Sequence, residues 1–177
     1  MTVERRAIVR EFRAKGRRLE GYAALFGVEA RIGEGFTETI APGAFAASIA
    51  SGRDVLALVD HDATRLLART RSRTLRLSED ARGLAFDLDL PDTQAGRDVL
   101  ALAERGDLGG MSFGFMAQDE LRDGNHRELR QVELFEVSVV AAFPAYEGTT
   151  IAARAAVPVP PGRAHAERVL RMLGAAS

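Results

Sequence analysis

Alternation of apolar and polar residues dominates the chain and predicts a fold built mainly from β-strands. In residues 84–90, leucine and phenylalanine alternate with alanine and aspartate, which is typical of a half-buried strand. A glycine-rich stretch over residues 27–35 predicts a loop. Comparable patterns predict further strands over residues 5–12, 19–26, 36–40, 54–60, 66–70, 74–77, 112–118 and 127–142.

Two segments carry the signals of a helix within the body of the chain. Thr93 can cap a helix over residues 94–105, and Gly106 can end it. Pro42 opens a shorter helix over residues 43–50. The pattern predicts a β-rich α+β fold with a mostly antiparallel, barrel-like core flanked by a few helices.

The composition changes near residue 154. A chain of 177 residues suits one domain, which we expect over residues 1–154. Residues 155–177 are rich in alanine and proline and predict an extended linker followed by a short helix over 164–173.

Composition narrows the function classes. The absence of cysteine excludes thiol nucleophiles, disulfide frameworks and cysteine-based zinc sites. The net charge of −1 gives no general attraction to nucleic acid or to an anionic membrane, and we expect neither partner. No signal peptide or membrane span is predicted, so we expect a soluble protein made in a cytoplasm, with no cofactor.

Ser112 is the first candidate for chemistry. It lies in Gly-Gly-Met-Ser-Phe-Gly-Phe, residues 109–115, where a small hydroxyl stands between glycines in an apolar run. A serine becomes nucleophilic when a base takes its proton and a third group orients that base. Residues 110–114 match the G-x-S-x-G elbow of α/β-hydrolases, but that motif requires a helix after the serine, and here a strand continues. The alternative is that a small residue permits close backbone packing.

His61 is the candidate base. It follows the apolar run at residues 55–59 and is flanked by Asp60 and Asp62. A strand end facing a cleft can hold a base rigidly. Two alternatives stay open: a structural hydrogen bond to either aspartate, or a metal site formed by the three residues.

Glu136 is the candidate third group. In a regular strand it shares a face with Leu134 and Ser138, while Glu133 shares the opposite face with Val137. A carboxylate among apolar neighbours needs a partner, and a histidine N–H is a suitable one. The alternative is a solvated strand face with Glu136 on the surface.

The combined pattern resembles the prohead proteases of HK97-like tailed phages, from Leu19 to about Thr150. Each motif is weak alone, but their order and spacing together are specific. The segments that carry the resemblance are Gly-Tyr-Ala-Ala-Leu-Phe at 21–26, Glu-Thr-Ile-Ala-Pro-Gly-Ala-Phe at 38–45, Asp-His-Asp at 60–62, Leu-Ala-Arg-Thr at 67–70, Thr-Leu-Arg-Leu at 74–77, Gly-Asp-Leu at 106–108, Gly-Met-Ser-Phe-Gly-Phe at 110–115, Leu-Phe-Glu-Val-Ser-Val-Val at 134–140 and Pro-Ala-Tyr at 144–146.

The resemblance implies a fold similar to that of the herpesvirus assemblins, a β-barrel ringed by helices. It also implies a serine endopeptidase in which Ser112 attacks the peptide carbonyl and His61 serves as base and then acid. The matching third residue is Glu136, with Glu133 as the fallback. Glutamate there departs from the assemblins, which use a second histidine.

By the same resemblance, the substrates are the scaffold segment of the major capsid protein, or a separate scaffold, and the protease itself. The site of action is the procapsid interior in the bacterial host cytoplasm, and a homodimer is left open. We predict self-cleavage between Ala152 and Arg163, where an extended linker can lie in a cleft as a strand. Three other functions stay open: a non-catalytic capsid-assembly factor of the same fold, a metal-dependent hydrolase and an esterase.

Overall fold

The computed structural model describes residues 3–9, 12–33 and 35–141, and the structural statements below concern these residues. They form eleven strands and two helices. In chain order the elements are β1 (Glu4–Val9), β2 (Phe12–Lys15), β3 (Arg18–Leu25), β4 (Ala30–Ile32), β5 (Phe36–Ile40), α1 (Ala46–Ala50), β6 (Leu56–Val59), β7 (Asp62–Arg69), β8 (Leu75–Glu79), β9 (Gly83–Asp89), α2 (Gln94–Arg105), β10 (Gly110–Asp123) and β11 (His126–Val140).

The strands form two sheets. The larger has the order β1-β10-β11-β5-β4, and β6 pairs with the C-terminal part of β11 and with β7. The smaller has the order β2-β3-β9-β8. Pairing is antiparallel except where β11 meets β5 and β6. The β-rich prediction is confirmed, while the described strands form open sheets and the assemblin-like barrel stays a prediction.

One hydrophobic core receives side chains from both sheets. Phe113 and Phe115 of the larger sheet are fully buried, as are Leu84 and Leu88 of the smaller one. Phe45, just before α1, packs edge-on against Phe113 with ring centroids 5.5 Å apart. Burying a side chain of this size contributes about 1.5–3 kcal/mol, so this core fixes the strand that carries Ser112.

Helix α2 has the bounds that the sequence predicts. Thr93 caps it, since its hydroxyl accepts a hydrogen bond from the Gly96 N–H at 3.3 Å. Gly106 ends it with a φ of 78°, a left-handed conformation that glycine adopts without a β-carbon penalty. Helix α1 is shorter than predicted and begins at Ala46, because a turn occupies residues 42–45.

The prediction of one strand over residues 5–12 is wrong. The segment contributes β1 to the larger sheet and the start of β2 to the smaller one. Alternation can continue while the chain crosses between sheets, so periodicity does not report the crossing. The predicted loop at 27–35 likewise contains the short edge strand β4.

Several predictions concern residues outside the described part of the chain. These are the domain boundary at 154, the linker and helix of 155–177, and the cleavage site between Ala152 and Arg163. In the described part, no helix is both long and apolar enough to cross a bilayer.

Candidate active site

Ser112 lies on β10, an inner strand flanked by β1 and β11. Its backbone partners are Ala7 on β1 and Ser138 on β11. The strand continues to Asp123, so residues 110–114 form no strand-turn-helix elbow, as the sequence predicts. The Ser112 hydroxyl donates to the carbonyl oxygen of Arg6 at 2.7 Å, and the residue is 1 % exposed.

A β-bulge decides the direction of Glu136. Glu136 pairs with Gly114, but the next pair along the ladder joins Leu134 to Phe115, so Phe135 is an extra residue. Leu134 therefore faces the hydrophobic core, whereas Glu136 points to the other face of the sheet. The prediction that Glu136 shares a face with Leu134 is wrong, because strict alternation fails at a bulge.

Gly114 provides the space for the Glu136 carboxylate. A β-carbon at residue 114 would lie 2.5 Å from Oε1 of Glu136, well inside contact distance. The carboxylate thus lies directly over the backbone of the neighbouring strand, two residues from Ser112. Gly114 thus permits this close approach. The finding agrees in part with the interpretation that small residues in the motif allow close packing against the backbone.

His61 lies in the two-residue turn between β6 and β7. Asp60 and His61 have φ values of 50° and 62°, and Val59 pairs with Asp62, which is the pattern of a type I′ hairpin. Left-handed backbone in a non-glycine residue costs about 1–3 kcal/mol and clusters at functional sites. The Asp60 N–H donates to the Val139 carbonyl oxygen at 2.9 Å, which fixes the turn to β11.

This turn brings His61 onto Glu136. Nδ1 of His61 lies 2.6 Å from Oε1 of Glu136, and the two side chains are 5 % and 10 % exposed. An ionised carboxylate only accepts hydrogen bonds, so in the neutral imidazole Nδ1 carries the hydrogen and Nε2 keeps its lone pair. Nε2 is buried and has no hydrogen-bond partner among the described residues. The pair has the geometry of a base held in one tautomer by a carboxylate.

The aspartates beside His61 bind other groups. Asp60 accepts a hydrogen bond from the Ala141 N–H at 2.9 Å. Asp62 accepts from the hydroxyl and the N–H of Thr64, and the hydroxyl contributes most to lowering the pKa of Asp62. The alternative in which either aspartate holds the imidazole is therefore wrong.

Glu133 lies away from His61. Its carboxylate pairs with Arg53 and accepts a hydrogen bond from Gln118 at 3.1 Å. Glu136, in contrast, is 7 % exposed, so the alternative of a solvated Glu136 is wrong. Of the two glutamates, the structure brings Glu136 to the histidine.

No hydrogen bond joins Ser112 to His61 in the described residues, because the serine hydroxyl is directed to Arg6. Ser112 nevertheless lies on the strand beside Glu136, at a position directly opposite Ser138. Two of the three predicted residues are thus in direct contact, and the third is on the adjacent strand.

Two further polar residues meet Glu136. The Ser138 hydroxyl donates to Oε2, and Nε of Arg5 lies 3.6 Å from Oε1. Period-two alternation already places Ser138 on the face of Glu136. No local sequence pattern predicts the contact of Arg5 with Glu136, since Arg5 lies on β1, more than a hundred residues before Glu136. Across the described ranges, no three histidine, aspartate or glutamate side chains are grouped as metal ligands.

Comparison with known proteins gives one match. The model of the caudovirus prohead serine proteases matches residues 4–158, well over half of the chain. No curated protein and no solved structure matches the chain. The matched range includes both sheets and the paired His61 and Glu136. The chain belongs to the caudovirus prohead serine protease family.

Proposed function

We propose that the protein is a serine endopeptidase that cleaves scaffold or capsid protein segments, and its own chain, during maturation of a phage procapsid. Family membership supports the class of reaction and substrate. The observation that carries the proposal is the contact between His61 and Glu136, which leaves Nε2 of a buried imidazole open beside the strand of Ser112.

Each residue has one role in the proposed reaction. The Ser112 oxygen attacks the peptide carbonyl carbon, and its proton passes to Nε2 of His61. The imidazolium then gives this proton to the leaving amine as the C–N bond breaks, which leaves an acyl ester on Ser112. A water molecule hydrolyses the ester by the same proton transfers. Glu136 holds the imidazole tautomer and stabilises the imidazolium without taking its proton.

The reaction requires the Ser112 hydroxyl to turn from Arg6 toward His61. Side-chain hydroxyls move between three staggered positions, and the neutral hydrogen bond to the Arg6 carbonyl is worth about 1 kcal/mol. Because Ser112 is 1 % exposed, peptide binding must also open this face of the sheet. Self-cleavage between Ala152 and Arg163 is part of the proposal, and a homodimer stays a prediction.

A non-catalytic capsid-assembly factor is the second candidate. The observations that favour it are the Ser112 hydroxyl bound to Arg6 and the low exposure of the serine. In that case the protein would bind scaffold segments and leave them intact.

Co-expression with the capsid protein of the same phage tests the proposal. The wild type is compared with Ser112→Ala, His61→Ala and Glu136→Gln, and the products are weighed by intact-mass spectrometry. We expect the wild type to shorten the capsid protein and itself. Removal of the serine or histidine should lower the rate by about a million-fold, to an undetectable level, and the glutamine variant should lower it by about 10⁴-fold.

Ser48→Ala is the matched control for the loss of a buried serine hydroxyl, since the Ser48 hydroxyl on α1 accepts from the Leu134 N–H of β11 at 2.9 Å rather than donating to the Glu136 carboxylate. Processing by the control but not by Ser112→Ala supports the endopeptidase. Equal products from wild type and Ser112→Ala would overturn it in favour of the assembly factor.

A further inference from the structure

We propose that Ser138 is a positioning residue that holds the Glu136 carboxylate in the orientation that His61 requires. The inference rests on the proposed function and adds a fourth residue to the site. Ser138 lies on β11, two residues after Glu136 and directly opposite Ser112. It is 0 % exposed, and its hydroxyl donates to Oε2 of Glu136.

The Glu136 carboxylate needs this second anchor. Its Oε1 meets both Nδ1 of His61 and, at 3.6 Å, Nε of Arg5. Beneath it lies the backbone of Gly114, which offers no side chain to restrict rotation about the last torsion of the glutamate. That torsion has a broad energy profile, so packing alone does not fix it. A donor on Oε2 fixes the plane of the carboxylate and directs Oε1 toward the histidine.

The geometry also separates the roles of the two serines. The Ser138 hydroxyl donates its hydrogen bond to a carboxylate oxygen, and an alkoxide formed there would stand beside a negative charge. The Ser112 hydroxyl donates to a neutral carbonyl oxygen, so loss of its proton meets no such repulsion. Ser112 therefore fits the nucleophile and Ser138 fits the anchor.

Loss of the Ser138 hydroxyl should change how His61 titrates. Without that donor, Glu136 accepts more strongly from Nδ1, and the imidazolium is favoured. The charged groups around the ring are Glu136, Arg5, which pairs with Glu136, and the adjacent Asp60 and Asp62. Arg65 pairs with Asp60 at 3.5 Å. Ser138→Ala leaves all of these charges in place, so a changed titration reports the lost hydrogen bond.

The test measures fluorophosphonate labelling against pH in wild type, Ser138→Ala and the control Ser48→Ala. In this reaction the serine oxygen bonds to phosphorus, fluoride leaves and the serine proton passes to the base. We expect Ser138→Ala to label Ser112 about 10- to 100-fold more slowly, because the base is less well oriented. The acid limb of its pH profile should move to higher pH.

Three results would overturn the inference. One is a Ser138→Ala profile that coincides with that of Ser48→Ala. Another is a peptide map of the wild type in which Ser138 carries the fluorophosphonate label. The third is a His61 ring whose ¹⁵N titration by NMR is the same in wild type and Ser138→Ala.

The NMR measurement keeps this inference separate from the proposed function. If no serine of the wild type is labelled and the capsid protein is not processed, the endopeptidase proposal fails. The His61 titration still decides whether Ser138 orients the Glu136–His61 pair, since it requires no turnover. A midpoint that moves up in Ser138→Ala and not in Ser48→Ala supports the anchor in either case.

Discussion

Two groups of polar and charged residues, each built around a buried glutamate, lie on opposite faces of the larger sheet, and they differ in how completely they are paired. We call the first the Glu38 cluster; it consists of Glu4, Arg6, Glu38, Glu120 and Arg127. We call the second the Glu136 site; it consists of Ser112, His61 and Glu136. Successive residues of β1 connect them, since Arg6 turns to the first and Arg5 to the second.

The Glu38 cluster is fully satisfied. Arg6 donates two hydrogen bonds to the carboxylate of Glu38, at 2.6 and 2.9 Å. Arg127 donates to Glu38 at 3.1 Å and also to Glu4 and Glu120. In the Glu136 site, by contrast, Nε2 of His61 has no partner within the described residues.

This difference separates a structural role from a functional one. Buried charges are tolerated when every donor and acceptor is paired, as in the Glu38 cluster. A buried nitrogen left unpaired costs about 1–3 kcal/mol, and a base must keep its lone pair free to take a proton. The comparison therefore predicts that changes in the first group alter stability and that changes in the second alter reactivity.

Glu38→Gln should give the largest effect on stability. The substitution removes the fully buried anion that Arg6 and Arg127 share and leaves them only the more exposed Glu4 and Glu120, which lowers the free energy of unfolding by about 3–5 kcal/mol. Urea denaturation measures the loss. In the folded variant, the fluorophosphonate should still label Ser112 at the wild-type rate. A stable Glu38→Gln protein would contradict the structural role of the cluster.

Gly114→Ala should mainly remove reactivity. The added methyl meets Oε1 of Glu136 at 2.5 Å and displaces the carboxylate from His61. We expect labelling of Ser112 to fall about 100-fold and stability to fall by about 1–3 kcal/mol. Gly35→Ala is the control, since its β-carbon would meet open space. Equal labelling of the two variants would show that Glu136 does not need this space.

Acid should weaken the Glu38 cluster. The hydrogen bond from Arg127 lowers the pKa of Glu4 below 4.5, and those from Arg122 and Arg127 lower the pKa of Glu120. Both carboxylates thus add stability above pH 4.5, and this contribution disappears as the pH falls through their lowered values. The stability difference between wild type and Glu4→Gln should therefore shrink on acidification, as followed by urea denaturation between pH 3 and 6.

Glu128→Gln is the control for the acid experiment, because its pair with Arg130 is largely exposed. An exposed pair contributes little, so this variant should follow the wild type at every pH. A Glu4→Gln stability difference that stays constant with pH would contradict the assigned cause.

The sequence by itself determined the elements and the chemical groups. Alternation and caps predicted β9, β11 and α2 closely, because these signals depend on neighbouring residues alone. The resemblance to the prohead proteases also identified Ser112, His61 and Glu136 as candidate catalytic residues, although alternation alone left open whether any of them was functional.

Only the tertiary structure decided how these groups meet. The bulge at Phe135 turns Glu136 away from the core, and the left-handed turn at His61 carries the imidazole back over β11. The pairing of β1 with β10 brings Arg5 opposite Gly114, on the face of Glu136, and Arg6 opposite Phe113, on the core face. All three features depend on pairing between strands distant in sequence, whose energies no local pattern contains.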